Sequence, residues 1–130
     1  WKTMLQFYSV SDKLSSGFAL DTNCSVAKPY PLSNVFTSSD RHCFNGGLQV
    51  LSTVCPRLAW IAPPTGINCN IMAELSSKIA EFQISKGNYF VIAHPWSSTF
   101  WNNEWMTYLL DCSQVTYCKV DLGSYDASLN

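Results

Sequence analysis

An apolar run into a double proline, Leu58 to Pro64, is followed by an apolar-aromatic run into His-Pro, Tyr89 to Pro95. The spacing, roughly thirty residues, is that of one strand, helix, strand unit. Each run reads as a buried strand, over Arg57 to Ala62 and over Asn88 to Ala93, that stops abruptly at its carboxyl end. Parallel α/β sheets place their ligand sites at such ends. Between the two, Ile71, Leu75, Ile79 and Phe82 recur at helical intervals over Ile71 to Lys86, with Asn70 as a candidate cap and Gly87 as the stop.

The flanking sequence extends the pattern. Met4 to Ser9 predicts a first strand followed by the polar turn Ser9-Val10-Ser11-Asp12, and Phe18-Ala19-Leu20-Asp21 a second apolar run with an acid at its end. Pro29, Pro31 and the Ser33 to Asp40 stretch read as a polar connection. Phe44 to Val54 offers Leu48, Leu51, Val54 and Cys55 at helical spacings with Pro56 as the stop. Gly46 and Gly47 weaken its first turn by about 1 kcal/mol each relative to alanine. After a Pro95 to Thr99 loop, Asn102 or Asn103 caps a short helix that turns Trp105, Met106, Leu109 and Leu110 inward. Gln114 to Asp121 alternates as a last strand.

Such alternation of strands and helices predicts an α/β fold, a Rossmann-like open, mostly parallel sheet with helices on both faces, in a single domain spanning 1–130. No capping element follows Asp121 to Tyr125, so the chain reads as a fragment or a domain shortened at its C-terminal end.

A chain of 130 residues buries roughly two thirds of its unfolded surface in one core without staples. Hydrophobic residues make up 47% and charged residues only 13%, with five tryptophans, which implies apolar surface that meets a protein partner. The net charge of −1 does not support a nucleic-acid binder held by phosphate contacts. No run approaches the ~20 apolar residues of a membrane span, and Trp1-Lys2-Thr3 does not open a signal peptide, so a soluble intracellular protein is expected.

The six cysteines, Cys24, Cys43, Cys55, Cys69, Cys112 and Cys118, would permit three disulfides in a secreted chain. Several sit inside apolar runs, where free thiols serve as small core residues, and the reduced state is the expected one. Without a Cys-x-x-Cys pair, with two histidines, and with Asp111, Asp121 and Asp126 dispersed, no metal site is expected.

Several residues carry more than one reading. Asp21 is either a solvated turn residue or an acceptor for ribose hydroxyls. Pro63-Pro64-Thr65-Gly66 is either a rigid turn or a ligand ledge. His94 is either a satisfied loop residue or a titrating group beside the cleft. The aromatic group of Trp96, Phe100, Trp101, Trp105 and Tyr108 is core packing, a protein-interaction surface or a base-stacking platform.

Phe7 after a first strand, Asp21 after a second, Pro63-Pro64 after a later one and Ala93-His94-Pro95 after the next follow the motif order of DNA cytosine-5 methyltransferases. The run Ile92-Ala93-His94-Pro95-Trp96-Ser97-Ser98, then Trp101, then Val120-Asp121, resembles a diverged methyltransferase-like domain found beside mobile-element proteins in protists. The resemblance implies a Rossmann-like fold, with Phe7, Asp21, Pro63 and Pro64 around S-adenosylmethionine. That family's reaction needs a thiolate directly after the proline pair and a glutamate in the later triplet. Here those positions hold Thr65 and Ala93, and Cys69 lies four residues beyond the first. The first loop also lacks the glycines that let backbone approach the cofactor. The fourteen positions from Phe7 to Asp21 are few for a full crossover.

Two functions follow from these residues. One is a non-catalytic module that acts as a binding or scaffolding subunit through Trp96, Phe100, Trp101 and Trp105. The other is an S-adenosylmethionine- or nucleotide-binding transferase with relocated chemistry, for which Asp12, Asp21, His94 and Cys69 are the candidates.

Overall fold

The computed structural model describes residues 3–7, 25–27, 41–63 and 69–120. Its centre is a three-stranded parallel sheet of β1 (Met4–Phe7), β2 (Leu58–Ile61) and β3 (Tyr89–Ile92), in that spatial order. The register aligns Leu5, Ala59 and Phe90 in one row and Phe7, Ile61 and Ile92 in the next. The chain is a mixed α/β protein of Rossmann-like type.

On the far side of β1 from β2, Val26 forms a parallel bridge with Met4, flanked by hydrogen bonds from Thr3 N–H to Ser25 C=O and from Ala27 N–H to Met4 C=O. The chain therefore steps from β1 to one side and then crosses to β2 on the other. This reversal is the topological switch of doubly wound sheets, and it lies between the carboxyl ends of β1 and β2. The paired segment is 25–27, while Phe18 to Asp21, expected as the second strand, lies outside the described residues.

Helix α1 (Arg41–Val54) leads into β2, and α2 (Cys69–Ser85) joins β2 to β3. Leu51 of α1 and Met72, Leu75 and Ile79 of α2 are fully buried against Leu5, Phe7, Ala59 and Ile61. The stripe of α2 is broader than its apolar spacing predicts. Ala73, Ser76, Ser77, Ala80 and Gln83 are buried as well, whereas Ile71 and Phe82 sit at the margin. Small side chains let this helix lie in close contact with the sheet, α1 and the C-terminal helix at once. Asn70, expected as the cap of α2, is instead its second residue.

The two helix ends use different stops. Gly87, at φ 70°, closes α2 with bonds from its own N–H to Ile84 C=O and from Asn88 N–H to Gln83 C=O, the two bonds of a Schellman end. Cys55 closes α1 at φ 46°, donating its N–H to Leu51 C=O, and Pro56 follows. A left-handed cysteine is costly, and proline bars continuation of the helix.

Beyond β3 come a three-residue 3-10 turn (Thr99–Trp101), absent from the sequence expectation, and α3 (Glu104–Leu110). Asn103 caps α3 through Met106 N–H, one of the two caps expected. The expected last strand, Gln114 to Asp121, does not form over its described part. Residues 115–120 join no strand, and of them only Val115 packs on the core. Alternation marks an extended chain but cannot supply a sheet edge to pair with. Among the described residues β3 is an edge strand, and no second helical layer covers the opposite sheet face. That face passes from buried Met4 through half-buried Leu58 and Trp60 to Tyr89, which is 64% exposed.

Candidate functional site

Parallel pairing brings the two proline-terminated segments side by side. Ala93 N–H donates to Ile61 C=O, so the chains leave β2 and β3 together, carrying Ala62 and Pro63 on one and Ala93, His94 and Pro95 on the other. Pro63 is buried and Ala93 exposed. Phe7, at the end of β1, is fully buried in the core under this ledge, with no surface left to offer a cofactor. Asp12, Asp21, Pro64 and Thr65 lie outside the described residues, and Cys69 is the first residue of α2.

His94 turns into an aromatic stack. Its ring lies 4.5 Å from that of Phe100 at an interplanar angle of 23°, and edge-on to Trp101 at 6.3 Å. Phe100 and Trp101 themselves pack edge to face at 5.1 Å. Three hydrogen bonds fix the loop. Pro95 C=O accepts from Ser98 N–H and from the Trp101 indole Nε1–H, while Ser98 Oγ accepts from Phe100 N–H.

The five aromatics grouped together in the sequence therefore separate in space. Phe100 is fully buried, which removes it from the expected partner surface, because the Ser98-capped turn points its ring at the core. Trp101 and Trp105 are half-buried and pack against that core. Trp96 is 56% exposed and lies 6.4 Å from Tyr117, itself 71% exposed, with Lys119 Nζ 5.6 Å from the Trp96 ring centre. Tyr117 is the surface residue that sequence reasoning assigned to a strand.

A concavity of about 380 Å³ opens between α2 and α3 and is lined by Glu81, Glu104, Trp105 and Tyr108. Neither glutamate stands out in the sequence by itself. The available signal is Glu104 one turn before Tyr108, with Trp105 beside it.

The cysteines Cys55, Cys112 and Cys118 are free thiols. Among the described residues no three His, Cys, Asp or Glu side chains converge as metal ligands, and no helix is long and apolar enough to cross a membrane. Neither a protein-family model, nor a curated protein, nor a solved structure matches the chain.

Proposed function

We propose that this chain is a non-catalytic, methyltransferase-like module that serves as a binding or scaffolding subunit of a larger assembly, through the patch formed by Trp96, Tyr117 and Lys119. The observation that carries this reading is the exposed Trp96 and Tyr117 pair beside a strand-end ledge built from Pro63, Ala93 and an inward-stacked His94. Large aromatics contribute most of the energy at protein interfaces, and a solvent-facing pair beside a lysine supplies both area and polarity. The ledge holds an alanine where the resembled reaction needs a carboxyl group, which supports binding over chemistry.

The test compares the intact chain with a W96A/Y117A variant in co-purification from the native source. Loss of one defined protein from the variant, with its melting temperature unchanged, supports the module reading. Equal recovery from both defeats it.

One observation favours a second reading. The switch between β1 and β2 is where open α/β sheets hold nucleotides, so an S-adenosylmethionine- or nucleotide-binding transferase is the alternative. A ligand at one hundred times its dissociation constant stabilises a fold by about 2.7 kcal/mol, readily seen as a melting shift. A saturable shift with S-adenosylmethionine, S-adenosylhomocysteine or a nucleotide would establish a cofactor site. A flat response across that panel removes the transferase reading for those ligands.

A further inference from the structure

We propose that the groove between α2 and α3 is a recognition site for a lysine side chain of a protein partner. Its walls combine two carboxylates, Glu81 and Glu104, with two aromatic rings, Trp105 and Tyr108. Carboxylates satisfy an ammonium group by charge-assisted hydrogen bonds, and aromatic faces take both the cation and the methylene stem that carries it.

The protein already makes this interaction with a cation of its own at the edge of the groove. Lys78 Nζ lies 5.6 Å from the Trp105 ring centre and 3.6 Å from Glu81 Oε2. Lys78 thus balances Glu81. Glu104 has no ion-pair partner among the described residues, so the groove keeps one uncompensated negative charge beside an exposed ring, Tyr108 at 59%. Glu104 and Tyr108 are one helical turn apart on α3, which puts the carboxylate and the ring on one side of the opening. A volume of about 380 Å³ lies at the small end of ligand sites and has room for a lysine side chain. The charge selects a cation, and the two rings favour one with an apolar stem.

That the lysine belongs to a partner protein rests on the module reading above, whereas the chemistry of the groove does not. A free lysine derivative therefore tests the groove alone. The full chain, labelled with ¹⁵N, is titrated with Nα-acetyl-lysine methylamide and, in parallel, with the norleucine analogue that lacks the ammonium. The expected result is a saturable shift of the Trp105 indole N–H, assigned from the spectrum of W105F, and of the Glu104 and Tyr108 amides. It is expected with the lysine probe only. E104Q, at an exposed position, should leave the spectrum folded and weaken binding by about two- to fivefold. High salt should weaken binding of the unaltered chain in the same direction. Equal shifts with norleucine, shifts scattered over other surfaces, or unchanged binding by E104Q would each overturn the proposal.

Discussion

His94 lies face to face with Phe100, ring centres 4.5 Å apart, so the strand-end histidine is tied to the core by an aromatic ring that has no solvent exposure. The contact joins the loop after β3 to the layer of α2 and α3, and the two variants that break it have unequal effects. Removal of a fully buried phenylalanine leaves a cavity and costs about 3–5 kcal/mol. F100A is therefore expected to unfold at a much lower urea concentration than the unaltered chain. H94A loses the stack on Phe100 and the edge-on contact with Trp101, about 0.5–1.5 kcal/mol each. Urea denaturation of both separates them, and equal losses would show that the histidine has a further structural role.

The split between outward and inward tryptophans makes a second prediction. W96A removes an exposed ring and should change stability by no more than about 0.5 kcal/mol, whereas W101A removes a core-packed ring and the donor to Pro95 C=O, at a cost of roughly 2–4 kcal/mol. Thermal melts distinguish the two. Partner loss seen with W101A alone would report unfolding rather than an interface, so W96A and Y117A are the informative interface variants.

Gln83 is the polar centre of the buried layer. Its Nε2 donates to Pro56 C=O at 3.0 Å and to Tyr89 C=O at 2.8 Å, which clamps the entrance to β2 to the entrance to β3. Leucine in its place would fill a similar volume and leave two carbonyls without these donors. With the full desolvation penalty of such groups at about 1–3 kcal/mol, Q83L should cost at least about 2 kcal/mol in chemical denaturation. A neutral result would mean that the carbonyls regain partners by a shift of the loop.

How much of this was legible in the sequence depends on what each signal measures. Strands β1, β2 and β3 were readable because apolar runs bounded by polar turns or prolines report burial directly. The buried face of α2 was readable only in part, because Ala73, Ser76, Ser77 and Ala80 carry little hydropathy yet occupy the tightest positions. The 3-10 turn escaped because three residues set no period, and its position decides which aromatic points inward. Hence Phe100 and Trp96, four residues apart, read as one cluster and end up on opposite sides of the surface. The groove was hidden because Glu81 and Glu104 come together only through the packing of α2 on α3.

Two helix ends test backbone conformation with opposite signs. Gly87 sits at φ 70° with no atom within 4 Å of an added Cβ, so G87A has room for its methyl group and still carries the left-handed penalty, roughly 1–2 kcal/mol. Cys55 bears that penalty already at φ 46°. C55G should relieve it, and after the added entropy of the unfolded chain a net gain of up to about 1 kcal/mol remains. Paired thermal melts check both signs, and a loss in C55G would show that the thiol's packing outweighs the strain.

The hydroxyls of Ser76 and Ser77 are buried with no hydrogen-bond partner among the described residues. Serine here satisfies the space between α2 and its neighbours but not its own polarity. Alanine keeps the small volume, removes the unsatisfied oxygen and has a higher helix propensity, so S76A and S77A should each be neutral or stabilising by up to about 1 kcal/mol. Guanidinium denaturation at matched m-value provides the check. Destabilisation by more than about 1 kcal/mol in either variant would place a bound water at that hydroxyl, making the polar layer of α2 a hydrated seam rather than a strained one.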